Sequence, residues 1–362
     1  MKIVFVLPRP YPYPVGGYKI VYDYADHLAE NHEVTIYHVV NLPYSRSKKP
    51  SILKYIYFRL SGSIHFGWYT FRNSLRLKLC YDLPRIEACD CLIATAWSTA
   101  YVVQGVNAKK KFYLIQGYEI WGGEDAEKVF NSYHFDGITN ITVSTFLKEK
   151  VEEYGGHRCI VAYNGIDLQK FHVTQPQNER TPKTVLMMYN RQFEKGAQDG
   201  ITALSLVRAE NPDIEVTFFG VEPAPQSIPS WIRYVCNPSP DELVELYNQH
   251  SIFINASHTE GFGLTIAEAM ACGCAVATTD SGGCRDFAIH NQTALLSPVQ
   301  DPEQLAENIM ILLKSRAYRE KLAKVAWKKI QNFSIENARR CFADCILRGD
   351  YGREQSGEKE NR

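Results

Sequence analysis

His258-Thr259-Glu260-Gly261-Phe262-Gly263-Leu264-Thr265-Ile266-Ala267-Glu268-Ala269-Met270-Ala271-Cys272-Gly273 is the stretch that decides the reading of this chain. The apolar run 252–255 before it predicts a strand, and 264–272 predicts a helix. Between them, Gly261 and Gly263 let the backbone approach a ligand closely. The N–H groups and positive dipole end of the helix start, at Leu264 and Thr265, favour a phosphate. Glu260 lies in the loop and Glu268 about one turn into the helix. Carboxylates accept hydrogen bonds from hydroxyls, so the first suits a sugar and the second a ribose. Alone, such a pair is as readily two solvated glutamates on a capped helix. The glycines and the strand-loop-helix setting favour a ligand.

The same alternation runs outward in both directions. In the first half, 3–7, 34–40, 91–95, 112–115 and 138–143 predict strands. Gly16-Gly17 opens a helix through Leu28, and Ser144 caps another over 145–154. Residues 172–183 are polar with two prolines and suit a linker. Beyond them 184–188, 214–219 and 275–278 predict further strands, and 200–211, 240–248 and 302–313 predict helices. This pattern implies an α/β chain with parallel sheets. The expected organisation is two Rossmann-like domains, 1–171 and 184–332, facing across a cleft at their strand ends. A helix within 333–349 is expected to return to the first domain, and 350–362 to be disordered.

Forty basic and forty acidic side chains give zero net charge, which disfavours nucleic acid as a partner. The balance is uneven. From Val34 to Cys80 there are Arg46, Lys48, Lys49, Lys54, Arg59, Arg72, Arg76 and Lys78 and no acid. Tyr55, Tyr57, Phe58, Phe66, Trp68, Tyr69 and Phe71 are interleaved with them. Segment 46–78 therefore suits an anionic membrane surface; an insertion with inward aromatics and a solvated basic face, or contact with nucleic acid, are the alternatives. Ten cysteines without a paired C-x-x-C spacing read as reduced, mostly buried thiols rather than a zinc site or disulfide framework. The N-terminus reads as a strand rather than a signal peptide, and no apolar run reaches the roughly 20 residues that span a bilayer. A cytoplasmic protein, peripheral at the inner face of the membrane, is expected.

The 258–273 stretch closely resembles the E-x7-E region of glycosyltransferase family 4, whose members have the GT-B fold. Asn190-Arg191-Gln192-Phe193-Glu194-Lys195-Gly196 resembles that family's G-R-x-x-x-K-G element, with Asn190 in place of the usual glycine. The resemblance implies that Arg191 and Lys195 neutralise the donor diphosphate. A leaving diphosphate needs cations when no metal is present, and no D-x-D triplet occurs, so metal-independent transfer without a cofactor is expected. Val161–Asp167 resembles the family's N-G-I-D turn, with Asn164-Gly165 expected to supply positive φ. Ser281-Gly282-Gly283 resembles a cleft-wall segment. Gly16 and Gly17 resemble the loop set against the donor phosphate and the acceptor. At Tyr113-Leu114-Ile115-Gln116-Gly117-Tyr118-Glu119, Gln116 stands where many members have a His facing the donor sugar. The Gln with a Tyr-Glu pair is similar to some polysaccharide rhamnosyltransferases, and a 6-deoxy sugar offers no 6-hydroxyl to such a His.

These expectations amount to a retaining glycosyltransferase. It would move a hexose or 6-deoxyhexose from a nucleotide diphosphate sugar to a glycan or lipid-linked acceptor in cell-surface polysaccharide synthesis. Expected catalytic residues are Glu260, Arg191, Lys195 and Gln116. Gly16, Gly17, Glu119, Phe262, Gly263, Leu264, Thr265 and Glu268 are expected to bind the donor, with the base near 236–239. A nucleotide-sugar epimerase on the same fold and a non-catalytic nucleotide-sugar binder are the alternatives.

Overall fold

The computed structural model describes residues 1–44, 50–61, 68–86, 88–120, 125–156 and 159–348. Arg46, Lys48, Lys49 and Phe66 of the basic segment and the 350–362 tail lie outside the described residues. The chain divides into two units. The first holds Met1–Val143, Leu147–Tyr163 and the stretch from Asn337; the second holds Ser144–Phe146 and Asn164–Glu336.

The first unit runs β1 (Lys2–Leu7), α1 (Gly16–Leu28), β2 (Glu33–Val39), α2 (Ser51–Leu60), β3 (Arg76–Cys80), β4 (Cys91–Ala94), α3 (Trp97–Gln104), β5 (Lys110–Ile115), α4 (Ala126–Ser132), β6 (Ile138–Thr142), α5 (Thr145–Glu153) and β7 (Cys159–Val161). Its strands form one parallel sheet in the order β3-β2-β1-β4-β5-β6-β7. The central strands are buried on both faces, which is why they read as unbroken apolar runs. β3, Arg-Leu-Lys-Leu-Cys, sits at the edge, half-exposed and alternating, and the apolar-run criterion passes over it.

The second unit runs β8 (Thr184–Met188), α6 (Ala197–Glu210), β9 (Glu215–Gly220), β10 (Ile232–Cys236), α7 (Pro240–Gln249), β11 (Ile252–Asn255), α8 (Leu264–Ala271), β12 (Ala275–Thr279), β13 (Leu295–Ser297), α9 (Pro302–Lys314) and α10 (Arg316–Ile330). Its six strands are parallel in the order β10-β9-β8-β11-β12-β13. Val185, Met187, Phe218 and Ile254 of the sheet pack with Leu204, Val207, Leu305 and Ile309 of the helices to form its core. The last helix, α11 (Ile335–Leu347), places Phe342 against Tyr24, with ring centroids 4.4 Å apart, and Arg339 on Asp23.

Three local expectations change. Residues 172–183 do not form a free linker, because Arg180 is 4% exposed and built into the second unit. That unit also begins at Asn164 rather than after residue 171. Gly165 has no positive φ; a Cβ there would sit 2.5 Å from the Ser334 carbonyl oxygen, so glycine serves close approach instead.

Candidate functional site

In each sheet the strand order reverses once. The reversal lies between β1 and β4 in the first unit and between β8 and β11 in the second. Chain segments leaving neighbouring strands at such a switch point diverge to opposite faces, opening a crevice at the carboxyl ends. Helix starts differ in their caps. α4, α7, α9 and α10 begin with side-chain caps from Asp125, Ser239, Asp301 and Ser315. α1, α6 and α8, which follow β1, β8 and β11, begin at Val15, Gly196 and Gly263 with no side-chain cap. α2 and α3 also begin without a side-chain cap, at Pro50 and Ala96. A helix start without a side-chain cap presents backbone N–H groups and a positive dipole end to a ligand.

In the second unit the loops after β8 and β11 are joined at several points. Gly196, at φ 58°, presses against the Ala256 carbonyl so closely that a Cβ would lie 1.8 Å from its oxygen. The His258 backbone N–H donates to the Glu194 carbonyl at 2.8 Å. Its imidazole Nε2 lies 2.7 Å from Asp199 Oδ2 in the first turn of α6, and Phe193 packs edge-on against the ring. This framework brings Lys195 Nζ to 2.9 Å from both Glu260 carboxylate oxygens. Ser257 Oγ also donates to Glu260 Oε1, at 2.7 Å. The Glu260 backbone is fixed from the other side: its N–H donates to the Ser281 carbonyl and its carbonyl accepts from Gly283. The Lys195 and Glu260 side chains remain 25% and 11% exposed, so the pair faces solvent.

The other expected residues fall into distinct settings. Leu264 and Thr265 are half-buried at the start of α8, behind Gly263 at φ 91°. Glu268 is buried and accepts a 3.1 Å hydrogen bond from the Tyr247 hydroxyl. Burial, reinforced by the Glu268 charge, pushes the Tyr247 hydroxyl well above its usual range, so it stays protonated and donates. Arg191 does not join Lys195; it is mostly exposed and pairs with Glu222 at 2.9 Å. Phe262 is 3% exposed and packs against Phe287 and Phe333. Its side chain is core, because this apolar ring has two aromatic neighbours to bury against. Ser239, at the end of the stretch expected to face the base, spends its hydroxyl on the α7 cap.

In the first unit Gly16 and Gly17 open α1, and Gln116 Nε2 donates to the Gly17 carbonyl at 3.1 Å. Gln116 Oε1 is buried with no hydrogen-bond partner among the described residues. Glu119 Oε2 accepts from the Tyr113 hydroxyl at 2.6 Å and from the Trp97 N–H at 2.8 Å, at the start of α3. At least one of its oxygens therefore fastens the scaffold. Sequence reasoning did not single out Ser257 or Asp199 and gave His258 no role. A serine three residues before Glu260 was a readable local signal, whereas Asp199 lies 59 residues from its partner.

Residues 169–329 match the model of the glycosyl transferases group 1 family. The chain is 25% identical over 232 residues to glycogen synthase of Mycobacterium tuberculosis, covering 59% of this chain and 55% of that protein. It is 25% identical over 183 residues to the N,N'-diacetylbacillosaminyl-diphospho-undecaprenol alpha-1,3-N-acetylgalactosaminyltransferase of Campylobacter jejuni, covering 46% and 48%. It thus spans about half the length of these curated relatives. Among solved structures, sucrose-phosphate synthase from Thermosynechococcus elongatus superposes with a TM-score of 0.71 at 16% identity, covering 96% of this chain and 98% of that one. Anabaena HepE in complex with UDP and glucose gives 0.71 at 14% identity, covering 96% and 99%.

Proposed function

We propose that this chain, a group 1 glycosyl transferase over residues 169–329 with the GT-B fold, moves a hexose or 6-deoxyhexose from a nucleotide diphosphate sugar with retention. The observation that carries the proposal is the Lys195–Glu260 pair at the β8/β11 switch point, beside the uncapped start of α8. A diphosphate placed at Leu264 and Thr265 meets backbone N–H groups, with Lys195 as its assigned cation. Glu260, already oriented by Ser257 and by its backbone bridge to Gly282, accepts from sugar hydroxyls. Glu268, held by Tyr247, is assigned to the ribose. Arg191 reaches the diphosphate by exchanging Glu222 for it, which its exposure permits. In the first unit, Gln116 Oε1 is assigned to a sugar hydroxyl.

The bond from the anomeric carbon to the diphosphate oxygen breaks, and the diphosphate leaves with the electron pair. The acceptor hydroxyl oxygen bonds to that carbon on the face being vacated, and its proton passes to the departing phosphate oxygen. Cations and helix N–H groups stabilise the developing charge, so no metal is assigned a role. The acceptor is a glycan or lipid-linked saccharide. The two curated relatives are named for glycogen synthesis and for transfer to a diphospho-undecaprenol saccharide, and others for capsule and O-antigen synthesis. A panel of nucleotide diphosphate sugars, assayed for donor cleavage and transfer in the presence of chelator, tests the reading. Wild-type turnover of at least one donor is expected, falling by about a hundredfold or more in Glu260→Gln. Equal turnover in that variant would refute the assignment.

A further inference from the structure

The structure divides the basic, aromatic segment into two halves with different jobs. Trp68, Tyr69 and Phe71 turn inward and surround Tyr22, with ring centroids 5.6, 5.3 and 5.4 Å away. Arg72 and Arg76 pair with Asp26 and Glu33. This half is scaffold.

α2 is different. Phe58 is its buried anchor, lying under the Arg9 guanidinium at 5.9 Å, and Tyr55 meets Tyr81. The opposite side carries Ile52, Leu53, Ile56, Tyr57 and Leu60, all exposed, with Leu60 at 82% and Tyr57 at 65%. At 100° per residue these five fall within an arc of about 140°. Arg59 stands about 20° beyond one edge of the arc and Lys54 about 60° beyond the other. An apolar stripe flanked by cations matches a helix lying in the plane of a membrane interface. It does not suit a second copy of the chain, because a two-fold contact along this stripe would set cationic flank against cationic flank. The segment from Val34 to Cys80 contains no acid.

We propose that α2 docks the protein on an anionic bilayer surface, with Ile52, Leu53, Ile56, Tyr57 and Leu60 in the headgroup–acyl boundary and Lys54 and Arg59 at the phosphates. This stands independently of the glycosyl-transfer reading. Co-sedimentation of the full chain with phosphatidylcholine vesicles, with and without phosphatidylglycerol, tests it. Binding is expected with phosphatidylglycerol and is much weaker without it. Leu53→Glu with Leu60→Glu lowers the anionic partition coefficient on the order of a hundredfold. Lys54→Gln with Arg59→Gln lowers it roughly tenfold or more and weakens its salt dependence. Unchanged circular dichroism in both variants shows that they fold, and nucleotide-diphosphate binding reports on the transferase reading separately. Failure to pellet with anionic vesicles, equal pelleting of wild type and the Leu53/Leu60 variant, or equal binding to neutral vesicles overturns the proposal. So does a dimer in sedimentation velocity that the Leu53/Leu60 change dissolves.

Discussion

Gly196 shows how one backbone position sets the chemistry around it. Its φ of 58° is left-handed, and a Cβ there would lie 1.8 Å from the Ala256 oxygen, so only hydrogen fits. A Gly196→Ala change must push the β8–α6 loop away from the β11–α8 loop, and with it Lys195 from Glu260. Expected are a loss of stability of about 2 kcal/mol or more in chemical denaturation and donor turnover lower than that loss alone accounts for. Wild-type turnover in this variant would show that the two loops need not be held together. Lys195 and Glu260 were each legible in sequence because both sit in motifs with glycines at fixed offsets, whereas their pairing was not. The settings of Arg191 and Phe262 were not. A cation finds Glu222 31 positions away, and a phenylalanine beside glycines in a loop turned inward to Phe287 and Phe333.

At the scale of elements, α7 and α8 end on one buried cation. Arg180 donates to the carbonyls of Gln175, Tyr247, His250 and Cys272, and so collects the last carbonyls of both helices. The guanidinium also lies at their negative dipole ends. The far end of α8 is the proposed phosphate site, so Arg180 fixes the position of that helix from behind. Arg180→Met leaves buried carbonyls without a donor and is expected to cost about 3 kcal/mol or more, read as a lower urea midpoint for the second unit. Arg180→Lys should fall between, because a point ammonium cannot reach four acceptors that a planar five-donor fork can. An unchanged midpoint in Arg180→Met would contradict this role. The polar, proline-bearing composition of 172–183 concealed it, since backbone carbonyl acceptors leave no sequence signature. The doubly buried strands β1, β8, β11 and β12 were legible for the converse reason. β3, β7, β10 and β13, at or next to the sheet edges or only three residues long, were not.

At the scale of the whole molecule, two α/β units were readable from the repeating strand–helix alternation, although the boundary between them was not. Each unit also carries a buried neutral histidine. His38 Nδ1 donates to the Pro8 carbonyl, leaving Nε2 to accept from the Tyr22 hydroxyl. His250 Nδ1 donates to the Leu246 carbonyl. Burial lowers each from 6.5 to about 4. The unfolded chain therefore takes up protons below pH 6.5 that the folded chain refuses until about pH 4. Stability from these groups is full above the upper value and falls across that window, on the order of 3 kcal/mol per histidine. Denaturation midpoints measured through the window should decline with acid, and His38→Gln should flatten the decline in the first unit. A flat wild-type profile would contradict the assignment.

The β8/β11 switch point of the second unit is proposed to hold a nucleotide diphosphate sugar. Titration calorimetry of nucleotide diphosphates and their sugars into the wild type and Lys195→Ala tests it most directly. At least one nucleotide diphosphate sugar is expected to bind the wild type and to bind Lys195→Ala more weakly by roughly tenfold to a hundredfold. Equal affinity for the two proteins, or no binding of any nucleotide diphosphate or its sugar to the wild type, would contradict it.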